Sequence, residues 1–264
     1  MLSGLIIYSR VDKDKNAWFI NRCIELLQSK GVSLSYLDED DVLDYFKNHQ
    51  VDFVIYRARD YRLLKEIQAK NIKCFNNAFT NKIANDKYLT YEFLDNEGVE
   101  CLRSFLSPEE VNSVPFVMKS VDGHGGEEVY LLKAKDEIER YQKPNKRYIF
   151  QEYYQADGDL RLYVLNKQVV GAVLRQNKND FRSNFSLGGG VVSFEPDKYL
   201  ANTAIKVATL LDADYIGVDF LKVNDKWLVN EIEDPVGARM LYKASGVDIV
   251  SLFTDYIYRT LTNK

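Results

Sequence analysis

The chain has 264 residues, 46% of them hydrophobic and 28% charged, enough to predict two or three packed subdomains in place of a single core. Its net charge of -4 comes from interspersed signs, which excludes a nucleic-acid-coating surface, since that needs clustered Lys and Arg. No apolar run of about 18 residues is present to span a bilayer, and two histidines, His49 and His124, are too few for Ser-His, Cys-His or His-rich metal chemistry.

The opening MLSGLIIYSRVDKDK lacks a basic segment and a small-residue cleavage site. Residues 5–8 therefore read as a strand, and the expected compartment is the cytoplasm. Residues 16–30 carry Ala17, Ile20, Ile24 and Leu27 on one helical face, and Gly31 ends that helix as a C-cap. Alternation at Val32, Leu34 and Tyr36 reads as a half-buried strand, residues 51–56 as a buried one, 61–70 as a helix and 72–75 as a short extended piece. This β-α-β alternation predicts a small open parallel sheet over residues 1–82, without the G-x-G-x-x-G of a dinucleotide fold. Cys23, Cys74 and Cys101 lie inside apolar runs at wide spacing and read as buried thiols.

A second unit, residues 83–264, opens with a helix over 85–97 capped by Gly98. Strands over 116–121, 127–132 and 148–154 around a polar helix at 134–142 predict a small α+β lobe spanning about 100–154. A hairpin pairs 160–165 with 169–174, a helix covers 197–211, a second hairpin pairs 215–223 with 227–233, and an amphipathic helix occupies 248–260.

The last hairpin carries the clearest chemistry. Alternation along WLVNEIED puts Trp227, Val229, Glu231 and Glu233 on one face. A three-residue loop at 224–226 sets Asp219 opposite Glu231; a two-residue loop sets Asn230 there instead. Opposed like charges destabilise a sheet unless a cation sits among them, and an oxygen-only set of Asp and Glu suits magnesium; a solvated acidic face is the plainer alternative. In PFVMKSVDGHGGEEVYLL, Lys119 precedes a turn with Gly123, Gly125 and Gly126, whose backbone can approach a phosphate. The turn has no helix after it, so it is not a Walker A loop, and on its own it reads more readily as a tight turn with His124 facing solvent. Arg161, Arg175 and Arg182, the last followed by Asn184 and a Gly188 to Gly190 run, supply guanidinium forks for phosphate or carboxylate. Arg57 and Arg59 in YRARD stand where a sheet edge can offer them to a substrate carboxylate or simply expose them.

Five blocks in this order, NDKYLTYEFLDNEGV, PFVMKSVDGHGGEEVYLL, FQEYYQADGDLRLYV, AVLRQ with FRSNFSLGGG, and GVDFLKV with LVNEIED, resemble the ATP-grasp superfamily in its RimK-type glutamate-ligase branch over nearly the whole chain. The resemblance implies an α/β plus α+β architecture, an open parallel pre-ATP-grasp domain followed by an ATP-grasp fold of two α+β lobes. It implies a carboxylate–amine ligase using ATP and two Mg2+ ions, with Mn2+ as a substitute, acting through an acyl phosphate on small-molecule or peptide carboxylates and amines, in a dimer or tetramer. Lys87 and Lys119 would serve the nucleotide phosphates, with Gly123, Gly125 and Gly126 closing over them, and Arg161 would belong to the same nucleotide-binding set. Gln151, Glu152, Tyr153 and Tyr154 would form the adenine hinge, and Asp159 would lie near the ribose. Arg175, Arg182 and Asn184 would face the transferring phosphoryl group, and Asp219, Glu231 and Glu233 would hold the metal. Glu233 stands where the family commonly has Asn, and Arg239 lies where the acceptor is usually met, so the substrates could also be those of a D-alanine-ligase-like or natural-product peptide ligase. A nucleotide-binding module without catalysis is the reading from another class; it has no need of the arginines.

Overall fold

The computed structural model describes residues 1–126, 128–156, 158–176 and 190–262. The N-terminal sheet is parallel, ordered β2-β1-β3-β4 from β1 (Ser3–Tyr8), β2 (Ser33–Asp38), β3 (Phe53–Tyr56) and β4 (Lys73–Phe75). Between them lie α1 (Arg10–Lys13), α2 (Ala17–Gln28), α3 (Val42–Asn48) and α4 (Tyr61–Gln68). The buried stripe of α2 is Phe19, Ile20, Cys23 and Leu27, with Ala17 exposed, so it is rotated from the face expected from periodicity. Helices α1 and α3 are not legible in the sequence: α1 buries nothing and α3 only Val42 and Phe46, too little for a period.

Helices α5 (Ala78–Ala84) and α6 (Lys87–Asn96) lead out of this sheet, so the single helix expected at 85–97 is α6 alone. Asn85 closes α5, and the Asp86 carboxylate caps α6 by accepting from the Leu89 N–H at 3.0 Å. The small lobe is an antiparallel sheet, β6-β5-β7, of β5 (Phe116–Ser120), β6 (Val129–Leu132) and β7 (Tyr148–Glu152). Its polar helix shrinks to a 3-10 turn and the four residues of α7 (Ile138–Tyr141). Glu127, where β6 was expected to begin, lies outside the described residues.

The largest sheet runs β10-β9-β8-β11-β12, from β8 (Gly158–Leu165), β9 (Gln168–Gln176), β10 (Gly190–Ser193), β11 (Tyr215–Val223) and β12 (Lys226–Glu233), with α8 (Lys198–Leu210), α9 (Arg239–Ala244) and α10 (Ile249–Thr262) around it. Leu160, Leu162, Val218 and Phe220 turn one face onto Leu200, Ala204 and Val207 of α8. The opposite face has two halves. Tyr163, Leu165 and Tyr215 share a core with α10 and the N-terminal sheet, while one or two positions further along the same strands the face becomes charged.

Both long hairpins close with two-residue turns, Asn166-Lys167 and Asn224-Asp225, not the three-residue loops expected. All four turn residues have positive φ, between 48° and 64°. Each hairpin then carries one bulge, between Tyr163 and Val164 opposite Val170 and between Asp219 and Phe220 opposite Asn230. A two-residue turn plus one extra residue gives the register of a three-residue loop, so Asp219 still faces Glu231 and Asp159 faces Arg175.

Candidate active site

The charged half of the large sheet is built by cross-strand pairing. Asp159 on β8 lies opposite Arg175 on β9, and Arg161 on β8 opposite Asp219 on β11. Arg161 grips Asp219 with two parallel bonds of 2.6 and 2.7 Å and donates to Glu233 at 2.5 Å. Arg175 donates to Asp159 and, at 2.8 Å, to the second oxygen of Asp219. The arginines are 6% exposed and Asp219 1%, so the paired surface charges normal on a hairpin are here drawn inside. Burial alone would lower the Arg161 pKa, but the carboxylates of Asp219 and Glu233 outweigh it and raise it well above its ordinary value. The same contacts act in reverse on Asp219, where burial is outweighed by Arg161 and Arg175 and the pKa falls. Asp159 goes the other way, pushed up to about 6 by burial despite Arg175.

On β12 the bulge decides which side chains enter the site. Trp227 and Val229 turn to the α8 side, against the alternation expected, because the extra residue Asn230 resets the phase; Glu231 and Glu233 then point with Asp219. One oxygen from each of Asp219, Glu231 and Glu233 lies within 4.8 Å of the others. What holds these like charges together is a set of protein cations, Arg161, Arg175 and Lys87, so no ion is needed to explain the cluster by itself. Three carboxylates converging at this spacing still form the hard-oxygen donor set that magnesium takes.

The lysines come from other elements. Lys87, the first residue of α6, donates to the Gly123 carbonyl at 2.5 Å and stands 3.4 Å from Glu231, tying the glycine turn to the carboxylates. Lys119 reaches across from β5 to the Asn230 Oδ1 at 3.2 Å. Burial, reinforced by Lys87 and opposed by Glu231, lowers Lys119 to about 8. Tyr91, one turn beyond Lys87 on α6, donates to the Asn230 carbonyl at 2.5 Å. Tyr91 went unnoticed in the sequence because an aromatic on a helix face reads as core. His124 is exposed at the cleft lip, yet the surrounding protein and the charges of Arg59 and Lys87 push it down to about 4.

Two cavities meet here. The smaller, about 110 Å³, is lined by Gln151, Glu152, Tyr153 and Tyr154 together with Leu102, Val117, Gly126, Val129 and Leu221, a mixed apolar and polar slot that suits a flat ring. Gln151 is held in place by donating to Ser104 Oγ at 2.6 Å. The larger, about 510 Å³, extends toward the N-terminal sheet past Arg57, Arg59 and Arg239. Lys87, Gly123, Gly125, Arg175, Asn230 and Glu231 border both. Lys119, Asp159 and Asp219 line the smaller cavity, and Arg161 and Glu233 the larger. Arg182, Asn184, Gly188 and Gly189 lie outside the described residues, while Gly190 opens β10, a strand expected as loop.

A slot bordered by lysines and a glycine turn between two α+β lobes, opening on a carboxylate cluster, is the arrangement of an ATP-grasp enzyme. Residues 84–257 match the RimK-like ATP-grasp domain family. The chain belongs to that family and thereby to the ATP-grasp carboxylate–amine ligases. It is 32% identical over 273 residues to an uncharacterized protein of Mycoplasma genitalium, spanning 99% of this chain and 93% of that one. It is 30% identical over 213 residues, 74% of this chain and 70% of the other, to a Haemophilus influenzae protein named "Probable alpha-L-glutamate ligase". Among solved structures, the fold is shared with a Bacillus anthracis D-alanine–D-alanine ligase complexed with ATP, at a TM-score of 0.79, 16% identity and coverage of 100% and 98%. It is also shared with the ATP-grasp ligase PsnB complexed with a precursor variant, Mg and ADP, at a TM-score of 0.73, 17% identity and 99% coverage of both. Among the described residues no helix is long and apolar enough to cross a membrane.

Proposed function

We propose that this chain is an ATP- and magnesium-dependent ligase that forms an amide or peptide bond through an acyl phosphate, joining an amino acid to a peptide, protein or amino-acid carboxylate. The observation that carries the reading is the convergence of Asp219, Glu231 and Glu233 within 4.8 Å at the junction of the two cavities, beside Lys87. In this reading residues 1–82 form the pre-ATP-grasp unit and 83–264 the ATP-grasp unit.

Asp219, Glu231 and Glu233 would hold the metal, two ions of Mg2+ or Mn2+. When bound, magnesium neutralises charge on the phosphate oxygens and orients them. Gln151, Glu152, Tyr153 and Tyr154 bind adenine, with Asp159 toward the ribose. Lys87 and Lys119 receive the phosphates as point charges, and the turn of Gly123, Gly125 and Gly126 covers them and keeps water out. Arg161 and Arg175 orient the metal carboxylates, and Arg175, with Arg182 and Asn184 as the motifs imply, would serve the phosphoryl group in flight. A substrate carboxylate oxygen bonds to the γ-phosphorus as ADP leaves; the amine then bonds to the acyl carbon as phosphate leaves with the charge and a proton is released. The protein needs no nucleophile, because positioning and charge stabilisation lower the barrier.

Glu231→Gln tests this. ATP consumption coupled to a carboxylate substrate should fall by at least a hundredfold, roughly 2.7 kcal/mol of barrier, with unchanged circular dichroism. Turnover near the wild-type rate would remove the metal assignment.

A further inference from the structure

The larger cavity continues beyond the carboxylate cluster to a wall whose charge the proposed chemistry leaves unused. Arg57, Arg59, Lys15 and Arg239 line it, against the carboxylates of Asp12 and Asp234. Both acids are already engaged: Asp12 accepts from Arg59 at 2.6 Å, and Asp234 accepts from Asn76 at 2.9 Å and Asn81 at 3.0 Å. Arg57 is 4% exposed and makes no ion pair among the described residues. Its bonds go to neutral acceptors, the Tyr8 hydroxyl at 3.0 Å and the Val236 carbonyl at 2.6 Å. Asp234 acts on it only through space and the Phe19 ring lies 4.6 Å from it, so no carboxylate oxygen meets this buried guanidinium directly and a ligand anion would complete it. Lys15 and Arg239 likewise form no ion pair among the described residues. The cavity is therefore bipolar, acidic at Glu231 and Glu233 and cationic at the N-terminal sheet.

Resting on the ligase reading above, we infer that the substrate in this cavity carries a carboxylate that is not consumed in the reaction and is held by Arg57, Arg59 and Lys15, while its reacting group lies at the carboxylate end. That carboxylate belongs either to the amine substrate or to a second acid group of the carboxylate substrate. Arg57 is prepositioned by its two hydrogen bonds, so it loses little freedom on binding. Arg59 can release Asp12 to meet the ligand.

The test is equilibrium binding by calorimetry to protein saturated with MgADP. Two acid–amide probe pairs separate the sources: L-alanine against L-alaninamide for the amine, and glutarate against glutaramide for the acid. At least one acid should bind at least tenfold more tightly than its amide, and R59A and K15A should each reduce that preference, with R57K as the conservative control that retains part of it. If neither acid is preferred over its amide, or the preference survives intact in both R59A and K15A, the inference is overturned. MgADP affinity measured in the same samples is expected to stay at the wild-type value in R59A and K15A, so failure of the anion wall and failure of the nucleotide site are told apart.

Discussion

Lys119 shows how one side chain sets a condition on the whole reaction. Its ammonium is buried on β5 and its pKa has fallen to about 8, so the ligand-free protein loses that charge just above neutrality. A polyanion binds the protonated form better, so nucleotide affinity should be flat below pH 8. Above it, affinity should fall by up to tenfold per pH unit, as calorimetry between pH 6.5 and 9.5 would read. Lys119→Arg, with a guanidinium that stays charged, should flatten the profile. At Gly217 the constraint is steric. A Cβ there would stand 2.8 Å from Val236 Cγ2 and 3.3 Å from Glu233 Cβ. Gly217→Ala should therefore displace the Glu233 side chain as well as the Val236 loop, costing about 1–3 kcal/mol by chemical denaturation and lowering activity beyond what the lost stability explains.

At the scale of the element, the bulge on β12 is the device that makes the site. Two-residue turns with both residues at positive φ are best served by Asn-Gly, and here they read Asn-Lys and Asn-Asp, so the turn length is weakly encoded in the sequence. The three-residue reading gave the right partner for Asp219 because turn and bulge together add the same number of residues. It failed nearer the turn, where Trp227 and Val229 face α8. Lys167, at φ 59°, bears the cost of an L side chain in the left-handed region without an Asn or Asp side chain to relieve it. Lys167→Gly should raise unfolding stability by about 1 kcal/mol, losing only an exposed ion pair with Asp212, and leave turnover unchanged, because the turn lies at the far end of the hairpin from Arg161.

Across the whole molecule, the N-terminal sheet and the large sheet are bound by buried polar groups as well as by apolar packing. Asn76, 4% exposed, accepts from the Asp214 and Tyr215 N–H groups at 2.6 and 2.8 Å and donates to the Tyr215 carbonyl and to Asp234. Asn76→Ala would strand several of these partners away from water, so a loss of roughly 2–4 kcal/mol is expected in denaturant titrations. With Asp234 and the Arg57–Val236 contact loosened at the same stroke, the Michaelis constant for the non-nucleotide substrate should rise more than that for ATP.

What the sequence determined by itself is local and patterned. The parallel alternation of the first 75 residues, the apolar stripe of α8 and the placing of Glu231 and Glu233 on one face follow from side-chain periodicity, and the ordered motifs pointed to the family. Tertiary structure alone decided that Arg161 and Arg175 are buried counterions of those acids, that Asn230 joins Lys119 and Tyr91 in the cleft, and that Arg57 faces a cavity. Each of these depends on strands or helices distant in sequence meeting at one point, and on a one-residue bulge whose energy is small beside the packing it redirects. No period of 2 or 3.6 residues records such an event.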